Sequence, residues 1–312
     1  MNNKRALLPY LSGVGFAIIF GFSFMFSRVA LRYASAMQLV GLRFMLAVAV
    51  LLLLKTFKII KINLRLKDFW AILPLAFFQP VLYFAGETYG IKHTSASMSG
   101  IFMSLIPVFT AGLAYIFLKE KLNRMQMLFI VISLAGVVLI SVMSLSGGQA
   151  GLGIGILFLM LAVLSAAVYA VLTRKLTKTY SAIEITFVMM VVGALAFNVL
   201  GLIDSSVKGY AYFAPLKETP FLWSWLFLGV LSSIVAFFLM TYTGSKVSAS
   251  QNMLFANLVT VIAILAGGIF LKEKITLYQI IGSVLIIAGV WGANYFAADS
   301  DEPAKDEVPI VN

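Results

Sequence analysis

One stretch of this chain is written twice. Ser95-Ala96-Ser97 recurs as Ser248-Ala249-Ser250, Phe117-Leu118-Lys119-Glu120-Lys121 as Phe270-Leu271-Lys272-Glu273-Lys274, and Ala135-Gly136-Val137 as Ala288-Gly289-Val290. All three pairs share one offset of 153 residues without a gap, and from Ser95 to Val137 the copies agree at 17 of 43 positions. Two unrelated apolar helices do not hold one register across a charged loop. The chain is therefore an internal duplication, and it must fold as two related halves.

The halves are membrane units. With 62% hydrophobic residues, 11% charged residues and a mean hydropathy of +1.02, the chain has more apolar surface than a soluble fold of 312 residues could bury. Ten segments are long enough for a span of about 20 residues. They lie near 7–27, 36–54, 69–91, 96–118, 125–144, 151–173, 183–203, 221–243, 249–271 and 277–297. Backbone in lipid must satisfy its own hydrogen bonds, and no period-two alternation suggests a barrel, so each is expected to be a helix. Lys4 and Arg5 precede the first run as in a signal peptide, but no small-residue cleavage site clearly ends it. It is read as a retained helix.

Basic residues set the expected orientation. The N-terminus, the connections after segments 2, 4, 6 and 8, and the tail hold 15; the other connections hold 7. The excess, led by Lys55, Lys58, Lys61, Arg65 and Lys67, places both termini in the cytoplasm. An offset that maps segment 4 onto segment 9 makes each repeat five helices long. Five is odd, so the copies run through the membrane in opposite directions, with a shared site near mid-depth between them. The expected units are a first repeat at 1–144, a second at 151–297, and a disordered acidic cytoplasmic tail at 298–312.

Polar residues inside the spans are few. Gln79, Tyr83 and Glu87 are spaced four apart and stack on one face of segment 3, beside the helix-loosening Pro80. Glu87 is the one acid well inside any of the ten spans as bounded above. Two readings stand side by side: a substrate-amine contact or proton site facing a cavity, or an interfacial acid paired with Lys92 or His93. Gln251, Asn252 and Asn257 of segment 9 need partners inside the bundle, as substrate contacts or as interhelical bonds. Segment 4 offers Ser97, Ser99, Ser104 and Thr110, hydroxyls usually used in tight packing, with Pro107 as a kink site. Arg43 in segment 2 is read as snorkelling to the outer interface rather than binding an anionic substrate.

Other chemistries lack their residues. With no cysteine and one histidine, and with five of the twelve acids in the tail, neither a metal cluster nor a nucleophile–base–acid set is expected, and no cofactor. No phosphate-loop lysine motif is present, so ATP is not the direct energy source. The net charge of +11 is divided among short loops that face anionic lipid, not gathered into a nucleic-acid module.

Several motifs resemble those of the EamA-type drug/metabolite transporters. Phe20-Gly21-Phe22-Ser23-Phe24 is similar to the family's Trp-Gly-x-x-Phe turn, and Leu42-Arg43-Phe44 to its Leu-Arg-Phe. Thr94-Ser95-Ala96-Ser97, Pro107, Leu118-Lys119-Glu120-Lys121-Leu122 and Gly136-Val137-Val138-Leu139 follow the family's first unit. Ser248-Ala249-Ser250, Leu271-Lys272-Glu273-Lys274 and Ala288-Gly289-Val290 follow its second. The chain departs at Phe20, where the family often has Trp, and at Glu87, where it has no fixed acid. The resemblance implies an all-α integral membrane protein: ten transmembrane helices as two inverted five-helix EamA repeats around a central cavity. It implies a secondary carrier, not an enzyme, exporting amino acids, nucleosides or bases, or toxic cations. In that picture Glu120 and Glu273 are structural, pairing locally or holding the start of the following helix.

The expected substrate site is Gln79, Tyr83, Glu87, Ser99, Met103, Asn252 and Asn257. Expected partners are a small-molecule substrate, the bilayer of a bacterial inner membrane and protons as a coupling ion, with no nucleic acid. The rivals are a membrane-embedded accessory protein or enzyme acting on lipid-linked sugars, and a channel.

Overall fold

A computed structural model describes residues 3–118, 122–146, 151–177, 179–244, 246 and 249–298. Within these, the side chains of 3–7, 118, 174, 175, 182, 241, 244, 249–254, 297 and 298 lie outside the description. No strand occurs among the described residues. Ten helices do: helix 1 (Asn3–Ala30), helix 2 (Ala36–Thr56), helix 3 (Leu66–His93), helix 4 (Ala96–Phe117) and helix 5 (Arg124–Ser146), then helix 6 (Leu152–Leu176), helix 7 (Ala182–Lys208), helix 8 (Thr219–Met240), helix 9 (Ala249–Phe270) and helix 10 (Leu277–Ala298). The acidic tail expected at 298–312 falls, from 299 onward, outside the described residues. So does the Lys119-Glu120-Lys121 loop.

Local chemistry sets the helix starts. Ser35 and Ser181 open helices 2 and 7 with capping boxes, closed by Gln38 and Glu184. Each box also reaches the other half. The Gln38 amide donates to the Tyr212 carbonyl, and the Asn63 backbone N–H donates to Glu184 Oε1 (3.1 Å). Gln126 and Gln279, which are 153 apart, accept from the backbone N–H groups of Asn123 (3.0 Å) and Thr276 (2.9 Å) at the starts of helices 5 and 10.

Three helices are interrupted. Helix 3 passes through a wide π-helical turn at Phe77–Leu82, where Gln79 leaves helical geometry at φ −137, ψ 112. Helix 8 has a longer π-helical segment, Phe227–Val235. The two segments end 153 residues apart, so both halves break at equivalent depth. Helix 4 turns between Met103 and Ile106, because Pro107 has no N–H for the carbonyl four residues before it.

Packing repeats the duplication. Helix 2 packs on helix 7 and helix 5 on helix 10, while the helix 1 contacts with 8 and 9 match the helix 6 contacts with 3 and 4. Exchanging the halves leaves this pattern unchanged. The helix 5–10 seam shows the same reciprocity at single residues. A Cβ on Gly136 would meet the Gly282 carbonyl, and one on Gly289 would meet the Phe129 carbonyl, both positions being related by the 153-residue offset. Glycine there lets two backbones touch, as membrane helix packing requires.

Candidate functional site

The breaks bring a buried cation and a buried carboxylate together. Helix 2 is held just before Arg43 by two neighbouring helices: the Asn198 amide of helix 7 donates to the Gly41 carbonyl (2.9 Å) and the Trp225 indole of helix 8 to the Leu42 carbonyl (2.8 Å). Arg43 then points into the bundle and is only 5% exposed. Its Nε donates to Ser233 Oγ (2.8 Å) and a terminal nitrogen to Ser232 Oγ (3.1 Å), both on the π-helical segment of helix 8. Its guanidinium lies over the Phe84 ring of helix 3 at 4.6 Å. The expectation that Arg43 snorkels fails for a geometric reason: its hydrogen-bond partners are inside the bundle, and one helical face carries it there. Ser232 and Ser233 lie 189 and 190 residues further along the chain, and the sequence alone does not connect them with Arg43.

Helix 3 supplies the opposite charge. Glu87 is 5% exposed. The Tyr83 hydroxyl, one turn earlier, donates to Glu87 Oε1 (3.1 Å), and Glu87 Oε2 is buried without a hydrogen-bond partner. Arg43 stacks on Phe84, about one helical turn before Glu87, yet Arg43 and Glu87 make no direct ion pair. Lys92 and His93, the expected interfacial partners, are exposed one to two turns further along, and neither bonds Glu87.

The other expected site residues spread over two regions. Gln79 is buried at the break in helix 3. Ser99 is fully buried and donates to the Ser95 carbonyl (2.8 Å), and Met103 belongs to the apolar core. Asn257 of helix 9 sits beside Val284, Ile287, Ala288 and Trp291 of helix 10, with its Oδ1 buried and unpartnered. The side chain of Asn252 lies outside the described residues. Tyr83 and Glu87 are thus joined directly, and Arg43 joins them from helix 2. Helix 7 runs past the expected 203 to Lys208, so a second acid, Asp204, falls in its last turn, where Lys208 pairs with it (2.6 Å). No cluster of three metal-ligating side chains occurs among the described residues.

The family model of the EamA-like transporters matches this chain twice, over residues 7–142 and 153–295. The chain belongs to the EamA-like transporter family. This EamA-type protein is 34% identical over 287 residues to the uncharacterized transporter YcxC of Bacillus subtilis (strain 168), covering 91% of this chain and 92% of that protein. It is 27% identical over 202 residues to a probable terminal-alkyne amino-acid exporter of Streptantibioticus cattleyicolor, covering 65% of each. A solved crystal structure at 16% identity has the same fold, with a TM-score of 0.64 over 94% of this chain and 99% of the other. This EamA-type chain is a multi-pass membrane protein, with its two family units laid out as the internal repeat requires.

Proposed function

We propose that this protein is a secondary transporter that exports a small amine-bearing metabolite across a bacterial inner membrane, with both termini in the cytoplasm. The carrying observation is Glu87 Oε2, a buried carboxylate oxygen without a partner, set beside Arg43 but not paired with it. An unpartnered carboxylate at this depth is expensive unless a proton or a cationic group visits it. A substrate ammonium or a coupling proton fits that position, with Tyr83 orienting the acid. Gln79, Ser99, Met103, Asn252 and Asn257 are the remaining proposed substrate contacts. Interruptions in helices 3 and 8 at equivalent depth support alternating access, since broken helices give each half a place to bend. The relative named as a probable terminal-alkyne amino-acid exporter supports the same substrate class.

The lipid-linked-sugar alternative needs polar catalytic groups gathered free at one interface. Asp68 instead accepts from Tyr180 (3.2 Å), and Glu184 is occupied in its helix cap, which favours transport. The test is uptake by purified protein in proteoliposomes, scanning labelled amino acids, nucleobases and a lipophilic cation, with and without a pH gradient. Saturable uptake of amine-bearing substrates is expected. Uptake confined to uncharged or anionic substrates would overturn the amine assignment, and steady conductance without saturation would indicate a channel.

A further inference from the structure

The second copy of the repeated loop makes a contact that its sequence does not suggest. Glu273 does not hold the start of helix 10, because Gln279 already accepts from the Thr276 backbone N–H there (2.9 Å). Glu273 crosses instead to the other half and takes the start of helix 4. The backbone N–H of Ala96 donates to its Oε1 (2.8 Å). The backbone N–H and hydroxyl of Ser97 donate to its Oε2 (3.0 and 2.6 Å). A carboxylate at a helix N-terminus is favoured twice over, by charge-assisted bonds to free N–H groups and by the helix dipole.

The surroundings are built to let it in. A Cβ on Gly267 of helix 9 would run into Ser97 Oγ and Glu273 Oε2, so only glycine allows this approach. Arg28, at the end of helix 1, donates to the carbonyls of Ile91 (2.6 Å) and Lys92 (2.7 Å) at the end of helix 3. The ends of helices 1, 3, 4 and 9 are therefore tied at one face of the membrane. Below the tie, helices 4 and 9 close without a gap. A Cβ on Gly100 would meet Ala263, and the Thr260 hydroxyl donates to the Gly100 carbonyl (3.2 Å). Ala263 and Thr260 are 0% and 1% exposed.

We propose that Glu273 is a positioning residue that latches this end of the substrate path, and that its release from helix 4 is a step of the transport cycle. This rests on the alternating-access reading but on no substrate. The latch uses polar bonds at a membrane face, where water can replace each bond. It can therefore open at modest cost, whereas the deep seam of helices 5 and 10 cannot.

The chain has no cysteine, so Thr260→Cys introduces a unique thiol directly beneath the latch. The purified full chain in lipid nanodiscs, exposed to a water-soluble maleimide, reports how often helices 4 and 9 part. Labelling is expected to be slow in Thr260→Cys alone. It should speed at least tenfold when Glu273→Gln is added, and by a smaller factor with Ser97→Ala. Glu184→Gln, which damages a helix cap elsewhere, is the control and should leave the rate unchanged. An unchanged rate with Glu273→Gln, or an equal rise with Glu184→Gln, overturns the latch. Should Glu273→Gln not yield folded protein, Ser97→Ala is judged against the same control. Labelling needs no transported substrate, so failure of the amine assignment leaves this outcome readable.

Discussion

Arg43 and Glu87 are opposite charges on neighbouring helices, and neither neutralises the other by contact. Arg43 spends its donors on Ser232 and Ser233, and Glu87 keeps one oxygen free. Removing one of two neighbouring buried opposite charges leaves the other less compensated, even without a direct pair. Arg43→Gln is therefore expected to lower the melting temperature of the purified protein, and to do so less in a Glu87→Gln background. A coupling of at least about 0.5 kcal/mol in the double-mutant cycle is expected, and strict additivity would show the charges to be independent. Glu87→Gln alone keeps the shape and the Tyr83 bond. It should leave folded yield intact while cutting transport at least tenfold and flattening its pH dependence. Transport that keeps both its rate and its pH profile would remove Glu87 from the mechanism.

At the scale of elements, the seam between helices 5 and 10 is the rigid counterpart of the interrupted helices 3, 4 and 8. Gly136 and Gly289 hold backbone against backbone, with the Gly282 and Phe129 carbonyls as immediate neighbours. No flexible side chain there can move aside. Gly289→Val should therefore destabilise the protein by about 1–3 kcal/mol through overpacking, read as a lower melting temperature in detergent. Gly112, whose Cβ direction is open, should accept alanine without that loss. Equal effects at the two sites would mean that the seam is less tight than its geometry. The breaks in helices 3 and 8 follow a different logic. They free backbone groups only where the bundle interior or a hydroxyl can answer them, as Ser233 does by donating to the Leu228 carbonyl (2.8 Å).

At the scale of the whole molecule, five helices per half make the repeats antiparallel and an even total brings the termini to one side. Epitope tags at the two ends should become accessible together, only after the cells are permeabilised. Tags reached from opposite sides would break the inverted arrangement. Ten spans, their duplication and the family were all legible in the sequence. Hydropathy is a local property, and a register held over 43 residues survives divergence. Tyr83 and Glu87 were legible as a pair for the same reason, since four residues along a helix is a local relation. The partners of Arg43 lie 189 and 190 residues away, and those of Glu273 lie 176 and 177 away. Neither pairing has a local trace. The sequence by itself determined which segments enter the membrane, how many there are and that the halves are inverted, because burying apolar surface in lipid is decided segment by segment. Only the tertiary structure decided that Arg43 turns inward and that Glu273 crosses to helix 4. Those outcomes depend on the rotation of each helix about its axis, and packing against the opposite half sets that rotation.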